Sequence, residues 1–237
     1  MGSIYKNDSL ARSLIVGIGK STHQIDYETV DMVYLTYNYL QEDTIELGDI
    51  VLSVNGNTDI YTETASVACN ETAIFDILRD DEPFTYTITK QELPSGTCVF
   101  GLQIKNFAEI FSSDVEYTLH PTLTGGSSGG LMQSLYVFNQ LTPHDITGGL
   151  KIAGTGTIDI DGSVGAIGGI EQKIITSSLN GIDVFFAPHL SDSEYDNYMV
   201  AMKVLETLQT DMVIIPVTTI DDALTYLESR FGGAFSE

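Results

Sequence analysis

The first part of the chain contains short stretches in which apolar and polar residues alternate. Residues 33–37 and 84–89 alternate as strands do, with successive side chains directed to opposite faces. Residues 47–56 read as a turn, a short strand and a tight turn at Asn55-Gly56, a pair typical of hairpins. Ile74, Ile77 and Leu78 would share one face of a helix over residues 72–79. The pattern predicts a small domain of strands with one short helix.

From residue 98 onward, predicted strands and helices interleave without a long regular βαβ series. Four strands, a glycine-rich β segment and four helices are predicted: strands at 98–104, 115–120, 184–187 and 212–216, the β segment at 149–170, and helices at 128–140, just before Gly181, at 194–208 and at 221–228. The predicted fold class is therefore α+β or mixed α/β.

Residues 92–96, Glu-Leu-Pro-Ser-Gly, are the main turn-forming segment within the chain and predict a domain boundary. Residues 1–12 are polar and predict a frayed terminus, and Met1-Gly2-Ser3 resembles a cloning remnant. The expected organisation is a flexible segment at 1–12, one domain at 13–95 and a second at 96–237.

The composition of the chain argues against some classes of binding partner. The chain has 237 residues, 43% of them apolar, and a formal net charge of −23. Because proteins that grip phosphate groups need clustered Lys and Arg, nucleic acid and anionic lipid are not expected as partners. No uninterrupted apolar stretch is long enough for a membrane helix, although an anchor upstream of these residues would escape this test.

The cysteines and histidines predict neither a metal site nor a cofactor. Cys69 and Cys98 form no CxxC pair, and the histidines lack the spacing of metal ligands. Two ordinary thiols are the favoured interpretation of the cysteines, and a disulfide between them is the alternative.

A glycine-rich turn at residues 124–130, Thr-Gly-Gly-Ser-Ser-Gly-Gly, opens a predicted apolar helix. Glycines let a substrate approach the backbone closely, and a helix N-terminus offers unpaired N–H groups that stabilise an alkoxide or an oxyanion. A flexible entry to the helix, without chemistry, is the plainer alternative.

A second glycine-rich segment ends at Lys173, in the first turn of a predicted helix. The helix dipole opposes a cation there and burial disfavours an ammonium group, so both favour the neutral amine that a general base requires. The alternative is a surface lysine on an amphipathic helix.

Together these two segments resemble the proteolytic domain of the Lon family, in which a Gly-Pro-Ser-Ala-Gly turn supplies a serine and a Gly-x-Val-x-x-Ile-Gly-Gly-x-x-x-Lys segment supplies a lysine. The turn is matched at residues 126–130, except that Ser127 replaces the proline and Gly129 the alanine. The lysine segment is matched at every specified position: Gly162, Val164, Ile167, Gly168, Gly169 and Lys173. The resemblance implies Ser128 as the nucleophile and Lys173 as its general base.

The resemblance also assigns supporting roles. Thr155 stands where the family has a threonine that hydrogen-bonds the lysine, and Gly126, Ser127 and Gly129 would shape the turn around Ser128. The likeness covers about residues 98–228, and residues 141–143 and 147–159 are similar to the ATP-independent, PDZ-linked branch. It implies a core like that of ribosomal protein S5, no cofactor, a ring of six subunits, and a site outside the bacterial cytoplasmic membrane on an N-terminal anchor absent from these residues.

Residues 46–50 and 54–56, placed before a predicted helix and strand, resemble a bacterial PDZ domain. PDZ domains add an extended peptide to a sheet edge. The resemblance implies peptide binding along Val33, Tyr34 and Leu35, with residues 27–32 as the carboxylate-binding loop. A small α+β spacer is the alternative.

The sequence allows three other interpretations. The chain could be a peptide-binding scaffold with a degenerate peptidase half. Residues 126–130 also fit an α/β-hydrolase elbow completed by Asp183 and His189, although no parallel-strand series precedes the serine. Residues 17–22 resemble part of a phosphate-binding loop but lack its first glycine, and are predicted to be a strand end and turn.

Overall fold

The computed structural model describes residues 2–37, 44–118 and 126–231, and within the helix that begins the chain it describes side chains from residue 6 onward. The chain divides into two compact units: unit 1 comprises residues 28–109, and unit 2 combines residues 2–27 with 110–237. Unit 1 is therefore inserted within the sequence of unit 2. The predicted order of two consecutive domains with a boundary near residue 95 differs from this division. Residues 93–97 form a hairpin turn, in which the Gly96 N–H donates to the Leu93 carbonyl, rather than a linker.

Unit 1 is built on a five-stranded sheet with the order β4-β3-β2-β1-β7. The strands are β1 (Ile25–Thr36), β2 (Ile50–Val54), β3 (Thr72–Arg79), β4 (Glu82–Thr89) and β7 (Leu102–Ser113), with β5 (Gln91–Glu92) and β6 (Cys98–Val99) as a separate pair. Helix α2 (Ile60–Ser66) is capped by Asp59, whose carboxylate accepts from the Thr62 N–H. The core packs Val33, Val54, Phe75, Ile77 and Phe100 together.

The predicted helix over Thr72–Arg79 is wrong, since these residues form β3. Ala73, Phe75 and Ile77 are fully buried at alternate positions, whereas Ile74 is 46% exposed. The segment pairs along its whole length with β4, from Thr72 opposite Thr89 to Arg79 opposite Glu82. Burial of every second residue, together with pairing to a strand on each side, favours a strand here more strongly than the helical spacing of three apolar residues favours a helix.

Other local predictions in unit 1 are confirmed. The alternating segments at 33–37 and 84–89 lie in or at the end of β1 and β4. Asn55 and Gly56 have φ values of 51° and 76°, the left-handed geometry of a tight turn, and the Val54 N–H donates to the Asn57 carbonyl across it.

Cys69 and Cys98 form a disulfide with a Cα–Cα distance of 5.5 Å, so the favoured interpretation as two free thiols is wrong. Backbone hydrogen bonds explain how residues 29 positions apart meet. The Asn70 N–H donates to the Lys90 carbonyl and the Lys90 N–H to the Glu71 carbonyl. They place the loop after α2 beside the end of β4, from which the chain continues into β5 and β6.

Unit 2 contains a three-stranded parallel sheet with helices packed on it. The sheet has the order β12-β11-β8, with β8 (Ile152–Gly154), β11 (Val184–Pro188) and β12 (Val213–Val217), and β9 (Thr157–Ile158) pairs with β10 (Val164–Gly165). The helices are α1 (Gly2–Gly19), α3 (Gly130–Leu141), α4 (Ile170–Leu179), α5 (Asn197–Leu205) and α6 (Ile220–Phe231). A central core joins Leu131, Leu135, Phe186, Ile220 and Leu227.

The predicted frayed terminus is wrong, because residues 2–19 form α1 and belong to unit 2. Asp8, Ser9, Arg12 and Ser13 are polar yet buried. They satisfy one another and neighbouring segments, as in the Arg12–Asp8 ion pair. The segment at 17–22, predicted as a strand end, is instead the end of this helix and a turn.

The helices and strands predicted after residue 128 agree with α3 to α6 and β8 to β12 within a few residues at each end. The predicted strand at 115–120 is not formed at 115–118, and residues 119 and 120 lie outside the described part of the chain. The molecule is thus of mixed α/β class. No helix among the described residues is long and apolar enough to span a membrane.

Candidate active site

The turn that opens α3 carries Ser128. Gly126 has a φ of 94°, a conformation that favours glycine, and Gly129 is the N-cap residue of α3. The Gly130 N–H donates to the Ser127 carbonyl, which tightens the turn, and Ser128 is half-buried. Thr124 and Gly125, at the start of the predicted motif, lie outside the described residues.

The segment between β8 and β9 fixes the backbone of Ser128. The Gly156 N–H and the Thr155 hydroxyl both donate to the Ser128 carbonyl at 2.9 Å, and the Leu131 N–H donates to the Gly156 carbonyl. Thr155 is fully buried. Its hydroxyl was expected to orient the lysine amine; the structure gives it a hydrogen bond to the backbone of the serine.

Lys173 reaches the serine from the first turn of α4. The Lys173 Nζ lies 3.1 Å from the Ser128 Oγ, although the two residues are 45 positions apart. Gly169 precedes the helix in the left-handed conformation, with φ 70° and ψ 34°, and Lys173 is half-buried. The structure therefore brings the two side chains of the predicted dyad within hydrogen-bond distance.

Asn197 holds the loop that leads into α4. Its side-chain oxygen accepts from the Ile167 N–H at 2.8 Å and its amide group donates to the Ile167 carbonyl at 2.9 Å. The side chain is buried at the start of α5. Nothing in the sequence singled out Asn197, because its partner is a backbone group 30 residues away.

Close packing behind the turn requires glycine at position 130. A Cβ atom on Gly130 would lie 2.8 Å from the backbone nitrogen of Ile158. Because backbone atoms cannot yield as a flexible side chain does, a larger residue would push α3 away from β9. The helix that follows Ser128 is thus seated directly on the segment that contains Thr155 and Gly156.

Two backbone N–H groups of the turn are available to a ligand. Within the described residues, the N–H groups of Ser128 and Gly129 have no hydrogen-bond acceptor. Free N–H groups at the start of a helix are the donors from which oxyanion holes are built.

The Asp183–His189 pair that an α/β-hydrolase site would need is not formed. The His189 Nδ1 lies 3.0 Å from the Asp196 Oδ1, and an Asp183 carboxylate oxygen accepts from the Lys151 N–H. Burial opposes ionisation of Asp196, but its hydrogen bonds with His189 and with backbone N–H groups outweigh this and lower its pKa. In the described part of the chain, no three His, Cys, Asp or Glu residues are grouped to hold a metal ion.

Val33, Tyr34 and Leu35 do not lie at a sheet edge. They are in β1, which stands between β2 and β7, and the Val33 N–H donates to the Asp49 carbonyl. Residues 27–32, the expected carboxylate-binding loop, are also part of β1. The prediction of peptide binding along this strand is wrong, because β1 has a neighbouring strand on each side.

Unit 1 has a groove at another place. A cavity of about 460 Å³ lies between α2 and the segment containing β6 and the start of β7. Its lining includes Tyr61, Thr64, Ala65, Phe100, Leu102 and Ile104. Among the strands described, β7 is one outer strand of the sheet.

Comparisons with known proteins find a likeness in the second half of the chain. Residues 122–229 match the model of the Lon protease (S16) C-terminal proteolytic domain. The Lon protease of Aster yellows witches'-broom phytoplasma (strain AYWB) is 29% identical over 100 residues, which are 42% of this chain and 12% of that protein. The chain thus spans about an eighth of the relative's length.

A solved structure, the PDZ domain of the SdrC-like protein from Listeria monocytogenes, aligns with 32% of this chain and 86% of that one at 16% identity. Its TM-score of 0.29 is too low to bear on the fold of unit 1.

Proposed function

We propose that the chain is an ATP-independent serine endopeptidase in which Ser128 attacks the peptide carbonyl and Lys173 accepts the serine proton. The distance of 3.1 Å between Nζ and Oγ is the observation that carries the proposal. It is supported by the match of residues 122–229 to a Lon proteolytic domain.

In this mechanism the neutral amine of Lys173 accepts the Ser128 proton while Oγ bonds to the scissile carbonyl carbon. The N–H groups of Ser128 and Gly129 stabilise the oxyanion. The lysine ammonium then protonates the departing amine, which leaves an acyl-enzyme. Lys173 next takes a proton from water, the resulting attack releases the acid product, and the serine regains its proton.

Thr155 and Gly156 position the nucleophile rather than react. Both donate to the Ser128 carbonyl and so fix the direction of the Oγ. Small displacements of a reacting atom are costly, because a misplacement of about 1 Å can reduce a rate by roughly a hundredfold.

Replacement of Ser128 by Ala tests the proposal. We expect the full chain to cleave an unfolded protein without ATP and the Ser128→Ala variant to be inactive. Ser127→Ala is the matched control, since it removes the neighbouring hydroxyl and should leave most activity. Equal turnover by the parent chain and the Ser128→Ala variant would end the enzyme proposal in favour of a peptide-binding scaffold.

We further propose that unit 1 captures a substrate segment in the groove between α2 and β7. The groove lies beside the outer strand β7, and its apolar lining offers pockets to the side chains of a guest segment. This assignment replaces Val33, Tyr34 and Leu35, whose strand lies inside the sheet.

The disulfide supports a setting outside the cytoplasm, since such bonds persist in oxidising compartments. The N-terminal membrane anchor and a ring of six subunits complete the proposal as the family resemblance suggests them. Nucleic acid is not proposed as a partner, because the net charge is −23.

A further inference from the structure

A buried charged cluster lies on α1, outside the region that matches the Lon proteolytic domain. Arg12 and Asp8 are 7% and 6% exposed. The Arg12 Nε lies 2.9 and 3.0 Å from the two carboxylate oxygens of Asp8, and the Arg12 Nη1 lies 2.5 Å from the Asp159 Oδ1. One guanidinium group therefore joins the helix to a segment 147 residues further along the chain.

Attachment of α1 alone does not explain this cluster. Leu14, Ile15, Val16 and Ile18 are buried on the same helix, and apolar burial of this kind is sufficient to dock a helix. Taking a guanidinium and a carboxylate out of water is costly, and apolar residues of similar size often serve stability equally well. The segments that the cluster connects therefore indicate its role.

On one side the cluster connects to the segment that holds the nucleophile. Asp159 directly follows β9, and Thr155 and Gly156, just before β9, donate to the Ser128 carbonyl. Asp159 is itself fixed, because its carboxylate accepts from the Ile160 N–H and its carbonyl accepts from the Gly162 N–H.

On the other side, α1 contacts the catalytic turn directly. The Ser9 hydroxyl donates to the Ser127 carbonyl at 3.4 Å, and the Ser13 hydroxyl lies 3.2 Å from the Gly130 carbonyl. Residues 127–130 are thus bounded by α1 and by the segment 155–159, and the Arg12–Asp159 pair links these two boundaries.

We infer that Arg12 is a positioning residue for the reaction: through Asp159 it locks α1 and the segment 155–159 against the turn that carries Ser128. The inference rests on the proposed peptidase function. It extends the catalytic machinery to a helix that begins more than a hundred residues before the matched domain.

Two aspartates provide a matched pair of substitutions. Asp159 accepts from Arg12 of α1, and Asp221 binds Lys20, the residue that follows α1. The two aspartate side chains are 59% and 62% exposed. Asp159→Ala removes the link at the catalytic turn and leaves the buried Arg12–Asp8 pair intact. Asp221→Ala removes the tether at the far end of the same helix.

We expect Asp159→Ala to lower kcat on a short peptide by roughly tenfold to a hundredfold, the effect of a displaced nucleophile, with KM within about twofold. Asp221→Ala should change both constants by less than about twofold. Asp159→Glu keeps a carboxylate in reach of Arg12 and should restore most of kcat. Equal kcat values for the two alanine variants, or no recovery with glutamate, would overturn the inference.

Hydrogen exchange of the turn separates this inference from the enzyme proposal, because it requires no turnover. In the full chain, the hydrogen-bonded amides of Gly130, Leu131 and Gly156 should exchange at least about fivefold faster in Asp159→Ala than in Asp221→Ala, by a local opening. If the parent chain is inactive but exchange changes as expected, the peptidase proposal fails, while the link from Arg12 through Asp159 to the turn that carries Ser128 stands. If cleavage depends on Ser128 but exchange is the same in both variants, the inference about Arg12 fails and the peptidase proposal stands.

Discussion

The turn that carries Ser128 in unit 2, the proposed catalytic site, and the groove of unit 1, the proposed capture site, are constructed in opposite ways. Ser128 is held by hydrogen bonds to its carbonyl, by the close approach of Gly130 to Ile158, and by α1. The groove lies beside β7, an outer strand among those described, and has a mainly apolar lining. A reacting atom needs one position, whereas a capture site needs an open surface that a guest segment can cover.

The largest loss of activity should come from replacing the amine of Lys173. Lys173→Arg keeps a positive charge, but a guanidinium cannot lose its proton at working pH, so kcat should fall by about a thousandfold or more. Peptide hydrolysis measured across the alkaline range checks this. Lys151→Arg, an exposed lysine of the same unit, should leave kcat unchanged. Substantial activity in Lys173→Arg would rule out the lysine as base.

The next effect concerns stability and distinguishes the units. Replacing Cys69 and Cys98 by Ala opens a loop of about thirty residues and should lower the free energy of unfolding of unit 1 by about 3 kcal/mol. Unit 2 contains neither cysteine and serves as the internal control. Hydrogen exchange of the amides in each unit measures the change in the free energy of unfolding of unit 1 and of unit 2 separately. Equal losses in both units would show that the units do not unfold independently.

A smaller effect is expected from the support of the serine backbone. Thr155→Val removes the hydroxyl that donates to the Ser128 carbonyl and should reduce kcat by roughly tenfold, the value of one hydrogen bond. Thr207→Val also removes a hydroxyl that donates to a backbone carbonyl, but in the turn after α5, and should have no effect on kcat. If the two variants behave alike, Thr155 does not position the nucleophile.

The smallest effect should come from blocking the groove. Ala65→Trp places a large ring in the cavity and should raise KM for an unfolded protein severalfold, while hydrolysis of a short peptide is unchanged. Thr87→Trp, on the opposite outer strand β4, is the control. An equal rise in KM for protein and short peptide would assign unit 1 a supporting rather than a capturing role.

The sequence predicted the elements around the site better than those of unit 1. Helices α3 and α4 are amphipathic and flanked by glycine-rich turns, so spacing and turn chemistry agree. Residues 72–79 fit two patterns at once, because Ile74, Ile77 and Leu78 follow a helical spacing while Ala73, Phe75 and Ile77 alternate. Only the neighbouring strands decide between them, and these are not visible locally.

The positions of Ser128 and Lys173 followed from a motif, and the structure places their side chains within hydrogen-bond distance, while their roles stay a prediction. Arg12 and Asn197 could not be found in this way. Their partners lie 147 and 30 residues away, and a polar residue whose partner is distant looks like a solvated one. The same reasoning explains why residues 1–12 were predicted to be frayed.

The insertion of unit 1 also determines the order in which the chain can fold on the ribosome. Helix α1 emerges before unit 1, yet its partners in α3 and at Asp159 are synthesised only after residues 28–109. Unit 1 can complete its sheet during this interval, which brings residues 27 and 110 together and shortens the loop that α1 must close. A fragment that starts after unit 1 would lack the helix against which the serine turn rests.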